Sequence, residues 1–138
     1  MSTIHEGGCL CGLVRYRVAG DPTISCGCYC KQCQLLTGTP LYWGAFFLDS
    51  QVESMNGALK EFEYTSDESG RWLRHQFCEN CGTTVAGTCE YMPGERWIAI
   101  GTFDDPDWVD IELHIWTNSA HHSVVIPPNA TSFPGEAP

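Results

Sequence analysis

The segment Ser25 to Gly38, SCGCYCKQCQLLTG, contains four of the nine cysteines of this chain. They are Cys26, Cys28, Cys30 and Cys33. Tetrahedral zinc binds thiolate sulfurs at about 2.3 Å, and a tight turn can bring the three sulfurs of a Cys-x-Cys-x-x-Cys pattern to one point. Packing alone does not explain so many thiols in one short run. The segment therefore predicts a metal site.

The compartment decides how the nine cysteines should be interpreted. Residues 1–6 contain neither the basic nor the apolar region of a signal peptide, and the apolar runs are too short to cross a membrane. The prediction is therefore a cytoplasmic protein without a membrane partner. Reducing conditions disfavour disulfides and favour metal binding, and an odd number of cysteines also argues against a disulfide framework.

Composition and charge restrict the class of protein. The 138 residues are 43% apolar and 12% aromatic, which is typical of one packed domain. Seventeen acidic and seven basic residues give a formal net charge of −10. This charge repels phosphate backbones, so no nucleic-acid partner is expected. A small molecule or another protein is the predicted partner.

The body of the chain has the pattern of β-structure. In residues 13–18, Val14, Tyr16 and Val18 alternate with Leu13 and two arginines, as in a strand with one buried face. Further strands are predicted at 23–28, 41–48, 51–54, 59–65, 72–77, 83–88, 97–103 and 111–117, with a helical turn at 31–37 that Gly38 and Pro40 stop. Short, regularly spaced strands favour an all-β, mainly antiparallel sandwich or open barrel. We predict one domain over residues 1–126 and a loose, proline-rich tail over 127–138.

Two further cysteine pairs lie far apart in the sequence. Cys9 and Cys11 precede the first predicted strand, whereas Cys78 and Cys81 belong to a Cys-x-x-Cys-Gly knuckle about seventy residues later. Together they offer four thiolates, the closed ligand set of a structural zinc site. The alternatives are two unconnected buried pairs, or a redox motif at the second pair. A redox motif expects a βαβ context that this sequence does not offer.

The central cluster differs because Cys28, Cys30 and Cys33 supply only three ligands, which would leave zinc one position for water or substrate. Cys26 is a possible fourth ligand, since it shares a strand face with Cys28. However, a strand separates alternate Cβ atoms by nearly 7 Å, whereas two sulfurs on one zinc lie within about 4 Å of each other. The spacing therefore favours the three-cysteine site. Cys89 is interpreted as a lone buried thiol.

Several motifs together resemble a known family. They are Gly8 to Gly12 (GCLCG), Cys28 to Gln34 (CYCKQCQ) with Thr37-Gly38, Phe77 to Thr83 (FCENCGT), Gly101 to Pro106 (GTFDDP) and His114 to Trp116 (HIW). In order and spacing they resemble the glutathione-dependent formaldehyde-activating enzyme family, which also includes centromere protein V. The resemblance covers residues 7 to 117. Two positions depart from it: Tyr29, where the family often has His, and residues 120–123, where it has a Trp.

The resemblance implies a β-tent fold with two zinc ions per chain. The structural zinc is carried over to Cys9, Cys11, Cys78 and Cys81, and the catalytic zinc to Cys28, Cys30 and Cys33. It also implies a carbon–sulfur lyase reaction that forms or breaks S-hydroxymethylglutathione, with glutathione as co-substrate, or a related adduct of another small thiol and aldehyde.

Glutathione has two carboxylates that need partners. The nearest candidates in the sequence are Lys31 and Arg74, predicted here to bind them. Candidate acid–base groups are His75, His114, His121 and His122, of which His114 is preferred because its segment matches the family.

Two other functions compete with the enzyme. One is a non-catalytic, zinc-stabilised β module that binds a protein or a thiol ligand; no other catalytic motif accompanies the metal ligands, and a fold does not fix a function. Coordination by four protein sulfurs including Cys26 would favour this module. The other is chromatin association, as in centromere protein V, which the net charge of −10 disfavours.

Overall fold

The computed structural model describes residues 2–138, which form eleven strands and one α-helix. The strands are β1 Ile4–Gly8, β2 Arg15–Ala19, β3 Ile24–Cys28, β4 Tyr42–Leu48, β5 Val52–Asn56, β6 Leu59–Thr65, β7 Trp72–Cys78, β8 Thr84–Cys89, β9 Glu95–Ala99, β10 Leu113–Ile115 and β11 Thr131–Ser132. The helix, α1, is Lys31–Thr37, and 3-10 turns lie at Asp49–Gln51, Ile100–Thr102, Pro106–Trp108 and Thr117–Ser119. Within residues 2–138, no helix has the length and apolar character needed to cross a membrane.

The strands form two sheets. One has the order β1-β2-β5, and the other has the order β11-β10-β3-β4-β9-β8-β7-β6. Neighbouring strands are antiparallel except that β10 runs parallel to both β3 and β11. The predicted fold class, a single mainly antiparallel β domain with short helical turns, is therefore confirmed.

The main core lies between the two sheets. Tyr16 and Val18 of β2 pack there with Phe47 of β4 and Ile98 of β9. Alternate residues of β4 point the other way, and these include Phe46. The large sheet therefore has a core face and an opposite face, called here the cleft face, which carries Phe46 and Tyr42.

Helix α1 places two cysteines one turn apart. Cys30 is its N-cap residue, with extended backbone angles, and its sulfur accepts a hydrogen bond from the Cys33 amide at 3.3 Å. The helix ends where Gly38 adopts a left-handed conformation at φ 67°, which glycine does without steric cost. The predicted helical turn at 31–37 is confirmed.

Other segments differ from the prediction. β1 was not expected, because its Gly7-Gly8 pair weakens any alternating pattern; it forms by pairing with β2. The predicted strand at 97–103 ends at Ala99 and continues as a 3-10 turn. The segment after residue 126 is not loose: β11 pairs with β10, and the Phe133 amide donates to the His114 carbonyl at 2.9 Å.

Gly87 of β8 lies in close contact with both neighbouring strands, β7 and β9. A Cβ at this position would meet Cζ2 of Trp97 at 2.0 Å and the carbonyl oxygen of Arg74 at 2.3 Å. We expect Gly87→Ala to lower the free energy of unfolding by about 1–3 kcal/mol, the usual effect of overpacking. Urea denaturation measures this. Gly101→Ala is the matched control, because a Cβ at Gly101 meets nothing within 4 Å; equal losses in both variants would contradict the packing explanation.

Candidate metal centres and the adjoining cleft

The structure brings together the four cysteines of the first predicted site. The sulfurs of Cys9, Cys11, Cys78 and Cys81 all lie within 4.8 Å of one another. Cys11 Sγ is 3.5 Å from Cys9 Sγ and 3.7 Å from Cys78 Sγ. Tetrahedral zinc with its usual bond lengths would separate sulfurs by about 3.8 Å. This group could therefore hold a metal ion, and its spacing is consistent with zinc.

Two tight turns present these sulfurs. In the first, Gly12 has φ 83° and its amide donates to the Cys9 carbonyl at 3.2 Å. In the second, Gly82 has φ 77° and its amide donates to the Cys78 carbonyl at 2.9 Å. A left-handed residue is needed in each turn, and glycine supplies it. Because the first turn follows β1 and the second follows β7, this site joins the two sheets.

Polar groups around two of these sulfurs, those of Cys9 and Cys81, favour thiolates. The Val14 amide donates to Cys9 Sγ at 3.2 Å. The hydroxyl of Thr83 lies 3.2 Å from Cys81 Sγ, and together with the Thr83 amide it lowers the pKa of Cys81 to about 5. Thiolates are the form in which cysteine binds metals, so the surroundings of Cys9 and Cys81 suit metal binding.

The second group is formed by Cys28, Cys30 and Cys33, whose sulfurs also lie within 4.8 Å of one another. Cys28 is the last residue of β3. Cys30 is the N-cap residue of α1, and Cys33 lies in the first turn of that helix. Hydrogen bonds with the neighbouring Cys28 and Cys33 thiols lower the pKa of Cys30. This group could likewise hold a metal ion, with three protein sulfurs.

Cys26 lies outside that group of sulfurs. It belongs to the cleft face, where it packs in an apolar cluster with Phe46, Cys89 and Trp97. Burial raises the pKa of the Cys26 thiol to about 12, so it stays neutral. Cys89 is a buried thiol of the same cluster, at 2% exposure. The structure thus brings together three of the four cysteines in the central segment.

A cleft of about 520 Å³ adjoins the three-cysteine group. Its walls are mainly apolar and aromatic, as in many small-molecule sites. They include Ile24, Tyr42, Phe46, Tyr64, Leu73, Tyr91, Met92, Trp97, Leu113, Ile115 and Trp116. Polar lining is sparse and includes Gln32, Ser66, Ser69, Arg71 and Glu136.

Tyr42 is a candidate functional residue that the sequence interpretation missed. It lies opposite Cys28 in the β3–β4 pairing, on the cleft face. Its hydroxyl oxygen is buried and has no hydrogen-bond partner among residues 2–138. Burial raises the pKa of Tyr42 well above its usual value, so the hydroxyl keeps its proton. A buried, unpartnered donor is costly and is expected where a ligand provides the partner.

The two predicted carboxylate-binding residues do not line the cleft. Lys31 is exposed at the start of α1. Arg74 alternates with Leu73 in β7, so Leu73 lines the cleft and Arg74 projects to the opposite face, where it pairs with Glu63 at 2.8 Å. The cation at the cleft is Arg71 instead.

The four histidines predicted as acid–base candidates do not line the cleft either. His114 lies on the opposite face of the sheet, where Nδ1 is 2.8 Å from the Tyr29 hydroxyl. His75 is buried and stacks on Phe77, and burial lowers its pKa. His121 and His122 are exposed. The preferred acid–base candidate, His114, therefore does not face the cysteines, because β10 directs Leu113 and Ile115 to the cleft.

The chain is similar to known proteins in sequence and in fold. The family model for glutathione-dependent formaldehyde-activating enzyme matches residues 4–119. An uncharacterised lyase of Schizosaccharomyces pombe is 29% identical over 82 residues, which cover 59% of this chain and 55% of the relative. The chain thus spans about half the length of that relative. The crystal structure of a Rhodobacter sphaeroides protein has a similar fold, with a TM-score of 0.58 and 20% identity over 77% of this chain and 96% of that one.

Proposed function

Because this chain belongs to the glutathione-dependent formaldehyde-activating enzyme family, we propose that it is a zinc-dependent carbon–sulfur lyase. Its substrate would be a small-thiol adduct of formaldehyde or a related aldehyde, of the S-hydroxymethylglutathione type. The lyase name of the Schizosaccharomyces pombe relative supports this class of reaction. The β-tent fold and the cytoplasmic location stay predictions.

One observation carries the proposal: a group of three cysteines, rather than four, opens onto a cleft large enough for a small molecule. A closed four-sulfur site would favour the non-catalytic module. With Cys26 outside the group, a metal there would keep a position for an exogenous sulfur.

The residues present fit two zinc ions. Cys9, Cys11, Cys78 and Cys81 would hold the structural ion, and Cys28, Cys30 and Cys33 the catalytic one. When bound at the second site, zinc lowers the pKa of a thiol and keeps it as a thiolate at neutral pH.

In the reaction, the protein side chains around this site exclude water, orient the thiol and donate a hydrogen bond. The thiolate sulfur of the substrate bonds to the aldehyde carbon, the electron pair of the C=O bond moves to oxygen, and that oxygen takes up the proton that the thiol lost on becoming a thiolate; cleavage is the reverse. The aromatic and aliphatic walls exclude water and orient the thiol. The Tyr42 hydroxyl donates a hydrogen bond to the oxygen as its negative charge develops.

The direct test is the rate of S-hydroxymethylglutathione formation and breakdown by the zinc-loaded protein, measured above the spontaneous rate. We expect acceleration with glutathione or with another small thiol. A protein that binds both metals and accelerates neither direction with any small thiol would contradict the proposal and favour a binding module.

Tyr42→Phe is expected to separate activity from stability. Removing an unpartnered buried hydroxyl should leave stability unchanged or raise it by about 1 kcal/mol. Losing the donor to the reacting oxygen should lower the rate by roughly tenfold to a hundredfold. Zinc analysis, thermal melting and the rate assay measure these effects.

Tyr16→Phe is the matched control for that variant. The Tyr16 hydroxyl is 2.7 Å from the Thr102 hydroxyl, in the core between the sheets. Its removal should lower stability by about 1 kcal/mol and leave the rate unchanged. A Tyr42→Phe variant that is less stable but fully active would contradict the assigned role.

A further inference from the structure

Arg71 is the one positively charged side chain among the residues from 2 to 138 that line the cleft. It follows the turn between β6 and β7. Its guanidinium lies over the Tyr91 ring at 5.5 Å from the centroid, and Nη1 is 3.0 Å from Oε2 of Glu136. The cleft therefore holds one cation, already paired with a carboxylate of the same chain.

The turn that carries Arg71 is well ordered by hydrogen bonds. The Arg71 amide donates to Ser69 Oγ at 3.3 Å, and the Ser66 amide donates to the Arg71 carbonyl at 2.9 Å. Both serines line the cleft. The position of the guanidinium is thus set by the turn and by the Tyr91 ring as well as by Glu136.

The backbone hydrogen bonds that hold the C-terminal segment to the rest of the domain end at Gly135, just before Glu136. The Trp116 amide donates to the Gly135 carbonyl at 2.9 Å, and the Asn118 amide donates to the Pro134 carbonyl at 3.2 Å. In the described part of the chain, no backbone hydrogen bond is formed by residues 136–138, although all three line the cleft. The Glu136 carboxylate therefore reaches the cleft from a segment that no backbone hydrogen bond within residues 2–138 ties to the sheet.

The Arg71–Glu136 pair is suited to exchange. The two side chains are 39% and 47% exposed, and ion pairs of this exposure contribute little to stability. One of the five N–H donors of the guanidinium is used by a side chain within residues 2–138, so the pair with Glu136 rests on a single hydrogen bond. A ligand carboxylate that also buries an apolar body would gain more than Glu136 does.

We propose that Arg71 anchors a carboxylate of the thiol substrate, and that Glu136 holds this position until the substrate displaces it. The inference rests on the proposed function, and it narrows the substrate class to thiols that carry one carboxylate on an apolar body. Glutathione has two carboxylates, whereas the cleft offers one cation and mainly apolar walls.

The test uses the zinc-loaded full chain and two matched thiol probes, ω-mercaptocarboxylates and the corresponding amides, at three, six and eleven carbons. Isothermal titration calorimetry gives their dissociation constants without requiring turnover. At the chain length that the parent binds best, we expect the carboxylate to bind about tenfold more tightly than the amide. Arg71→Gln should abolish this preference, whereas Arg74→Gln, which removes a cation from the opposite face, should retain it.

Glu136→Gln provides the second arm. It should tighten carboxylate binding by roughly twofold to fivefold, since the internal competitor is gone, and should not change amide binding. Weaker carboxylate binding in this variant would overturn displacement, because Glu136 would then help to form the site.

The outcomes separate the anchor from the proposed function. Equal binding of carboxylate and amide by the parent, at every length, overturns the anchor and leaves the thiol site intact. Binding of neither probe overturns the anchor, whereas the proposed function is decided separately by the rate assay with S-hydroxymethylglutathione. A preference that survives in Arg71→Gln shows that another group recognises the carboxylate and also overturns the anchor.

Discussion

Replacing Cys78 by serine is expected to remove one metal ion per chain and to abolish the cooperative thermal transition. Cys78 ends β7 of the large sheet, and its sulfur meets those of Cys9 and Cys11, which follow β1 of the small sheet. A structural zinc can contribute on the order of 10 kcal/mol, which is comparable to the whole stability of a domain, about 5–15 kcal/mol. Without this metal, the two sheets are no longer joined at this end of the core. Zinc analysis and calorimetric melting measure the effect.

Cys89→Ser is the control for this variant. Cys89 is as buried as Cys78, at 2% against 0% exposure, but it belongs to neither group of sulfurs. We expect it to retain both metals and to lose about 1–3 kcal/mol of stability, because a hydroxyl is buried. A Cys78→Ser protein with the metal content and melting temperature of the parent would show that these four cysteines are two unconnected pairs.

Cys30→Ser is expected to abolish activity while the fold survives. Cys30 caps α1, and serine is itself a favoured N-cap residue, so the helix should still begin at Lys31. The variant should lose one metal per chain and retain the other, together with its thermal transition. Since even residues that only support metal ligands can affect activity by about 10- to 100-fold, we expect a loss on the order of a hundredfold or more in the rate above background.

Cys26→Ser is the matched control in the same segment. Its sulfur lies on the cleft face but outside the three-sulfur group, so both metals should remain bound. Loss of the second metal in Cys26→Ser would mean that the site has four protein sulfurs and would favour the binding module. Activity equal to the parent in Cys30→Ser would contradict a lyase that depends on this metal.

The sequence predicts those parts of the site that depend on local geometry. The spacing of Cys28, Cys30 and Cys33 determines that a strand end and a helix start bring their sulfurs together. The Cys-x-x-Cys-Gly knuckle and the alternation in residues 13–18 are likewise short-range patterns. The grouping of Cys9 and Cys11 with the Cys-x-x-Cys-Gly knuckle was also predictable, because each pair of cysteines alone supplies too few ligands for a closed zinc site.

The other site residues could not be predicted, because their positions depend on the register between strands that are distant in the sequence. The sequence alone does not reveal that register. Arg71 and Arg74 are three residues apart, and which of them reaches the cleft depends on how β7 sits in the sheet. Tyr42 faces the cysteines because β4 pairs with β3 at Cys28. His114 faces away because β10 lies parallel to β3 with His114 opposite Gly27. A shift of one residue in any of these pairings would reverse the faces.

The two groups of sulfurs also differ in how much chain each must close. The cysteines of the central group lie within one short segment, whereas Cys11 and Cys78 are 67 residues apart in the sequence. Closing the longer loop costs about 2 kcal/mol more in chain entropy. In an unfolded or newly synthesised chain, the sulfurs of the central group are therefore expected to come together earlier than those of the group that joins the sheets. We therefore expect metal loading at the three-cysteine group to precede loading at the group that joins the sheets.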